Sequence, residues 1–393
     1  MNERSIPYYR PKIGTDEIDA VVDSMRNGWL TTGPKVHEFE RAFSRACGVK
    51  HAIALNSCTA GLHLGLAALG VGPGDEVIMP SLTFVAGAQC VRHLGAIPVL
   101  ADVDRRTLCM TLDEVRPLVT ARTKVIMPMH YGGAPLNMRE IVEYAQSRSI
   151  RVLEDAAHAV GTLDKEGRWA GTISDAASYS FYATKNITCA EGGMFITNDD
   201  ELAHKVRILS LHGMDKDAWK RYTVGSGYGY DVVAVGYKYN MPDMAAALGL
   251  AQLSKLNALQ AERDQLAQCY LTALHDIAGI DPVGTIPKEP SRHSWCIFAI
   301  LVSDEVGLSR DDIISGLLQR GISTSVHFIP IHKMTAYKHT SHPSLPVTEW
   351  ASQRMISLPL YPGMTTEDVA YVCSGLQSII GTSKVLSPRA APT

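Results

Sequence analysis

Asp155 and Lys185 stand 30 positions apart, and each closes a short run of buried-strand character: RVLE before the acid, SYSFYAT before the lysine. Taken singly, each has an ordinary explanation. An acid after a strand often caps the next helix, and a lysine after a strand is usually a surface residue. Taken together they suggest chemistry. An acid at the end of a central strand is partly desolvated and wants a cation or a protonated ring nitrogen beside it. A desolvated lysine, or one near another cation, loses its proton more readily and can form a Schiff base with an aldehyde. A carboxylate and an amine presented from neighbouring strand ends match two needs of pyridoxal phosphate: an imine to lysine and an acid on the pyridine nitrogen. With that nitrogen kept protonated, the ring can absorb carbanion charge.

The third need is a phosphate cradle. ALNSCTAGLHLGLAALG passes from a strand into a helix through Asn56, Ser57, Cys58, Thr59, Ala60 and Gly61. Small hydroxyl residues and free backbone N–H groups at a helix N-terminus suit a phosphate, although Ser and Thr cap most helices for structural reasons alone. Ser180, five residues before Lys185, can add a hydroxyl on the same side. Phe84, in PSLTFVAGA, falls just after a strand, where it either stacks on a ring or joins the core.

The elements that must hold these groups recur from about residue 50 to 200. HAIALNS, DEVIMPSLTF, AIPVLADV, TKVIMPMHYGG, IRVLEDAAHA, ASYSFYATK and GGMFITND each fit a buried strand, and TAGLHLGLAALG, FVAGAQCVRHLG, LDEVRPLV and MREIVEYAQSRS fit helices between them. Alternation of this kind predicts an α/β fold: a mainly parallel sheet with helices on both faces and ligands at the carboxyl ends of the strands. Beyond Asp200 come a helix at ELAHKVRILSLHG, a Gly- and Tyr-rich loop from Lys220 to Asn240, and a nearly unbroken helix to about residue 277. WCIFAILV, a helix near DDIISGLLQRG, a strand at ISTSVHFIP and a helix at TTEDVAYVCSGLQSII predict a smaller α+β unit, ending in a loose tail, TSKVLSPRAAPT. The domain reading is 1–250 for the large unit with an N-terminal substrate loop, and 251–393 for the connector helix and small unit.

Composition narrows the classes. The chain has 393 residues, 46% hydrophobic, with a formal charge of −3 and no basic run, so nucleic acid and anionic membranes are poor partners. No apolar stretch has the length of a membrane span, and MNERSIPYYRPKIG lacks a secretory signal's apolar core, so a cytoplasmic location is expected. Eight scattered cysteines without a CxxC pair suggest reduced, buried thiols, and His327 and His332 alone make no metal site.

Several stretches resemble the sugar aminotransferases of the DegT/DnrJ/EryC1/StrS type, which are fold-type I pyridoxal phosphate enzymes: NGWLTTGPKVHEFE, NSCTAGLHLGLAALG, GDEVIMPSLTFVA, VLEDAAHAVG, SYSFYATKNITCAEGGM, GYKYNMPDMAAALGLAQL, TSVHFIPIHKM and SLPLYPGM. They follow the family's order along almost the whole chain. The resemblance implies that Lys185 carries the cofactor and Asp155 holds its pyridine nitrogen. It places Ser57, Thr59, Ala60 and Ser180 around the phosphate, Phe84 over one ring face, and His158 by the ring's hydroxyl, where the family has glutamine or histidine. It implies that Asn240 reaches the phosphate of a neighbouring subunit, so that a homodimer shares its sites. Thr31, His327 and His332 are candidate substrate contacts, each with an alternative reading as a loop or turn residue.

By the same resemblance the reaction is amino transfer from an amino acid, glutamate, to a nucleotide-linked keto-deoxysugar, with the cofactor passing through pyridoxamine phosphate. Relatives that deoxygenate sugars carry histidine in place of this lysine, and Lys185 puts the chain with the transaminating branch. GYKYNMPD resembles enzymes acting at C4 of a 4-keto-6-deoxyhexose more than those acting at C3, where GxNSRxDE is usual. A C3 sugar or cyclitol aminotransferase, and a non-catalytic cofactor- or sugar-binding relative, are the competing readings.

Overall fold

The computed structural model describes residues 4–215 and 230–386. Residues 216–229, which take in part of the Gly- and Tyr-rich loop, and residues 387–393, the end of the tail, lie outside them. All seven strands expected between residues 50 and 200 form, as β1 (His51–Leu55), β2 (Glu76–Pro80), β3 (Ile97–Ala101), β4 (Thr123–Ile126), β5 (Arg151–Asp155), β6 (Ala176–Ser180) and β7 (Gly193–Thr197). They make one sheet in the order β1-β7-β6-β5-β4-β2-β3. Only β7 runs against its neighbours, so β1, β2, β4, β5 and β6 deliver their carboxyl ends to the same edge. That edge is where an α/β sheet collects ligands.

Side-chain alternation sends the sheet's residues to two cores. Phe195 packs with Leu62, Leu66, Met79 and Leu153 beneath α3 (Cys58–Ala68) and α4 (Ala86–His93). Its neighbours Met194 and Ile196 face Phe39, Phe43, Tyr179 and Met241 on the opposite side. Each fully buried Phe contributes about 1.5–3 kcal/mol by leaving water. Two helices that the sequence reading did not register, α1 (Thr15–Arg26) and α2 (Pro34–Cys47), cover this second face together with α8 (Asp243–Ser254).

Three expectations are corrected in the C-terminal part. The long helix is two, α8 and α9 (Leu256–Leu274), divided at Lys255, whose φ of −100° and ψ of 2° leave the helical path. ISTSVHFIP is not a strand. It makes only the isolated bridges of Ile322 to Ile6 and Ser325 to Ser357, so its apolar residues pack along the small unit without a ladder. The small sheet is instead β10-β9-β8, built from Ile280–Pro282 (β8), Phe298–Val302 (β9) and Met355–Leu358 (β10). The last helix, α12 (Thr366–Leu386), takes in the start of the expected tail. Among the described residues no helix is long and apolar enough to cross a membrane, and no group of three or more side chains could hold a metal ion. All eight cysteines are free.

Candidate active site

Pairing of the strands brings the expected groups together. β5 and β6 are adjacent and in register, Asp155 opposite Ser178, so Asp155 ends one strand two residues short of Ser180 on the next. Gly193, the first residue of β7, pairs with Ser180 on one side and Leu55 on the other. It thereby fixes the distance from Ser180 to the turn that follows β1. Only glycine fits there: a Cβ would lie 2.3 Å from the carbonyl carbon of Ser57 and 2.5 Å from the nitrogen of Cys58.

That turn is the N-terminus of α3. Ser57 caps it, its Oγ accepting the N–H of Ala60 at 3.1 Å. Thr59 is exposed, Ala60 buried. Gly61 lets the helix settle on β6, since a Cβ there would stand 2.1 Å from Oγ of Ser178. Helix N-termini carry partial positive charge and unpaired N–H groups, and this one opens toward the sheet edge that holds Asp155.

Asp155 is buried, and its Oδ1 accepts the N–H of Ala157 at 3.0 Å. Burial raises its pKa above the usual carboxylate value, against the pull of the Ala157 N–H, Lys185 and His130. Lys185 is half-buried, held by its own main chain. Its N–H donates to the Tyr182 carbonyl at 3.0 Å, and its carbonyl accepts the Tyr9 hydroxyl at 2.9 Å. The next residue, Asn186, donates to the Ser294 carbonyl at 2.6 Å. His158, three residues after Asp155, is buried and kept neutral, its pKa driven well down by burial, then by Lys185 and His327. Its Nδ1 has no hydrogen-bond partner among the described residues.

Aromatic rings flank this cluster. Phe328 lies parallel to the His158 imidazole with centroids 5.8 Å apart, and Phe84 stands 6.1 Å from Phe328. Phe84 is 57% exposed, so it is not the core residue that its alternative reading required. His327 joins the same side: its Nδ1 pairs with Oγ of Ser357 at 2.9 Å, Tyr8 stacks on it, and burial with the charge of Lys185 lowers its pKa to about 4. His332 is placed elsewhere. Its ring faces Oγ of Ser81 at 2.8 Å and lies 4.8 Å from that of His342, and these contacts belong to no residue of the Lys185 cluster.

Thr31 and Asn240 form a second group beside β1. Asn240 bridges Leu55, donates its amide to Oγ1 of Thr32 at 2.6 Å and accepts from Lys238 at 2.5 Å. Thr31 offers its carbonyl to the N–H of Asp243 at 3.0 Å. The buried Asp243 carboxylate in turn accepts the N–H groups of Gly33, Lys35 and Val36, fastening the WLTTG turn to the start of α8. Sequence reasoning missed Asp243, Tyr9 and Phe328. Tyr9 lies 176 positions from the lysine it holds, and nothing local marks it.

A protonated nitrogen heterocycle bearing an aldehyde and a phosphate fits this arrangement, with the unpartnered Nδ1 of His158 available to its ring oxygen. The family model for the DegT/DnrJ/EryC1/StrS aminotransferase family matches residues 11–377. The chain belongs to this family. The enzyme is therefore a fold-type I aminotransferase that works with pyridoxal phosphate. It is 44% identical over 383 residues to the spore coat polysaccharide biosynthesis protein SpsC of Bacillus subtilis, covering 95% of this chain and 97% of that one. Its structure superposes with a TM-score of 0.88 on Spr1654 of Streptococcus pneumoniae, named as a sugar aminotransferase and solved in its PMP-form, at 34% identity over 96% of this chain and 100% of that one. DesI, solved in the presence of its TDP-sugar product, superposes with a TM-score of 0.87 at 28% identity, covering 98% and 95% of the two chains.

Proposed function

We propose that the enzyme transfers an amino group from glutamate to C4 of a dTDP- or UDP-linked 4-keto-6-deoxyhexose. The observation that carries this reading is the presentation of Asp155 and Lys185 near the ends of adjacent parallel strands, beside the N-terminus of α3. Bound pyridoxal phosphate supplies an aldehyde that exchanges amino groups and a ring that accepts an electron pair from carbon. The α3 N-terminus, with Ser57, Thr59, Ala60 and Ser180, holds its phosphate. Asp155 carries the charge that keeps the ring nitrogen protonated, and Phe84 covers a ring face.

Lys185 moves the protons. Its Nζ takes the α-proton of the donor amino acid as a general base, and in the second half returns a proton to the sugar carbon that receives nitrogen. Neutral His158 and His327 can accept or donate hydrogen bonds without adding a competing cation. Thr31 and His327 contact the sugar nucleotide, with His332 the more remote candidate. Asn240 serves the phosphate of the partner subunit in a homodimer. DesI's TDP-sugar product supports the nucleotide-linked sugar, and the GYKYNMPD stretch supports C4 over C3.

The test is a visible spectrum of the purified protein with pyridoxal phosphate, before and after glutamate, followed by 3-keto and 4-keto nucleotide sugars. A yellow band that glutamate bleaches and a 4-keto sugar restores supports the reading. A band restored only by 3-keto sugars moves the reaction to C3, and a colourless protein sinks the catalytic reading in favour of a non-catalytic relative.

A further inference from the structure

Asp155 ends a strand, whereas Lys185 lies outside every strand and helix. β6 stops at Ser180, and the chain from Tyr182 to Thr188 is a loop. Its base is closed on the Phe181 carbonyl, which accepts the N–H of Cys189 at 2.9 Å and the hydroxyl of Thr188 at 3.2 Å. Inside the loop the Lys185 N–H reaches back to the Tyr182 carbonyl at 3.0 Å. Nothing in that pattern stops the peptide that follows Lys185 from tilting. The consequence for chemistry is large, because a misplacement of about 1 Å at a reacting group can lower a rate roughly 10²-fold.

Two side chains hold that peptide. The hydroxyl of Tyr9 donates to the Lys185 carbonyl at 2.9 Å, and among the described residues no other donor reaches this oxygen. A carbonyl only accepts, so the proton of the bond is the phenol's. Burial raises the pKa of Tyr9, over the pull of Arg263, and the hydroxyl keeps the proton it donates. On the far side of the same peptide, the Asn186 amide donates to the Ser294 carbonyl at 2.6 Å, and the Ser294 hydroxyl donates to the His158 carbonyl at 2.6 Å. With Tyr9 in place the peptide cannot turn without breaking a bond at each end. Without it, one of the two restraints is gone.

Tyr9 can do this only if it is itself fixed, and the segment IPYYRPKIG fixes it. Pro7 and Pro11 lock φ at two points and keep the residue before each away from the helical region. On one side of Tyr9, Ile6 is buried among Leu317, Ile322 and Leu376, its N–H donating to the Gly321 carbonyl at 2.8 Å and its carbonyl accepting the N–H of Ser323 at 2.9 Å. On the other side, the Gln252 amide donates to the Lys12 carbonyl at 3.0 Å, and the Lys12 ammonium pairs with Glu262 of α9. The ring of Tyr9 stands edge-on to Tyr361 with centroids 5.9 Å apart, and the Arg263 guanidinium lies 6.0 Å from its centre. That guanidinium is buried and tied to the carbonyls of Trp295 and Leu360 at 3.0 and 3.3 Å. Segment and ring are both anchored, so the hydroxyl has a fixed place beside the lysine peptide.

We propose that Tyr9 is a positioning residue for amino transfer: its hydroxyl tethers the Lys185 carbonyl to the anchored N-terminal segment and so holds the lysine's amine where it moves protons. This rests on the aminotransferase reading for what Lys185 does, though not for the tether itself.

Tyr9→Phe removes the hydroxyl and keeps the ring against Tyr361, so the fold is retained. In the full-length protein without cofactor, amide hydrogen exchange read by mass spectrometry is expected to quicken roughly 10-fold in the peptide that carries residues 182–188, the worth of about one hydrogen bond, and to stay at the wild-type rate in peptides from β5 and α3. In the cofactor-loaded protein, kcat with glutamate is expected to fall roughly 10-fold with KM little changed, because an amine out of place slows proton movement more than it weakens donor binding. Unchanged exchange in residues 182–188 overturns the proposal whatever the rate does. Faster exchange there with kcat unchanged overturns it as well, since the hydroxyl then stiffens a loop and nothing more. Faster exchange spread evenly over the protein makes Tyr9 a general stabilising contact and has the same effect. A wild-type protein that binds no pyridoxal phosphate sinks the aminotransferase reading and the rate half of this one, while the exchange arm still decides whether Tyr9 holds the lysine peptide.

Discussion

The Lys185 cluster and the Thr31–Asn240 group both border the turn after β1, yet they are built differently. Asp155, Ser180, Gly193 and Ser57 are fixed by strand register and a helix cap, so each has its place dictated by this chain's own ladder. Thr31, Thr32, Lys238 and Asn240 are tied mainly to one another and to the start of α8, and the stretch leading to them exposes Val232, Val233 and Val235, the last at 95%. The first group is held in place by this chain alone. The second is ordered while presenting polar tips and apolar side chains outward, as a surface does that meets another copy. Catalytic power should therefore reside in the first, and dependence on assembly in the second.

The harshest attack on that division removes the lysine. Lys185→Ala is expected to lower amino transfer by at least roughly 10³-fold, since in the proposed mechanism one amine is both cofactor anchor and proton carrier. Near-normal turnover of glutamate and ketosugar would end the assignment. Asp155→Ala should cost roughly 10²-fold in kcat while cofactor still binds, because in the proposed mechanism it removes a charge that stabilises the ring and not an anchor. A rate equal to wild type would refute the ring-nitrogen role. Neither substitution should alter the oligomeric state.

A milder attack deforms the first group without touching its chemistry. Gly193→Ala pushes a methyl into the Ser57 main chain, which cannot rotate away, and should cost roughly 1–3 kcal/mol of stability together with weakened cofactor binding. Gly381→Ala, in open space within α12, is the control and should leave both unchanged or slightly improved. Thermal melts and cofactor titrations distinguish the two. Equal behaviour would mean that the close approach of β7 to the Ser57 turn does not matter.

The same division explains what was legible in the sequence. Every strand of the large sheet was readable because each is a short apolar run between turn signals, and the candidate site residues at or after their ends could be placed by adjacency: Asp155 from RVLED, Lys185 from SYSFYATK, Ser57 from ALNSCT. What escaped depends on contacts between distant parts of the chain. Tyr9 reaches Lys185 from the N-terminal segment, and Asp243 caps α2 from another helix. ISTSVHFIP has strand-like composition but meets Ile6 and Ser357 only at single bridges, and a ladder needs a second segment that runs alongside. The break between α8 and α9 at Lys255 carries no Pro or Gly to announce it.

The smallest effect sharpens the comparison most. Asn240→Ala removes one amide from the second group and should weaken cofactor binding by about 10-fold, the worth of a single hydrogen bond to a charged partner. That loss alone does not say whose site the amide serves. Mixing does: a dimer of Lys185→Ala and Asn240→Ala chains concentrates both defects in one site if sites are shared, and leaves the other with an intact lysine and an intact Asn240. Cofactor titration of the mixture would then show a class of sites with wild-type affinity that neither parent has. If Asn240 serves its own chain, every lysine-bearing site stays weak, and the second group is no more than the anchor of the WLTTG turn.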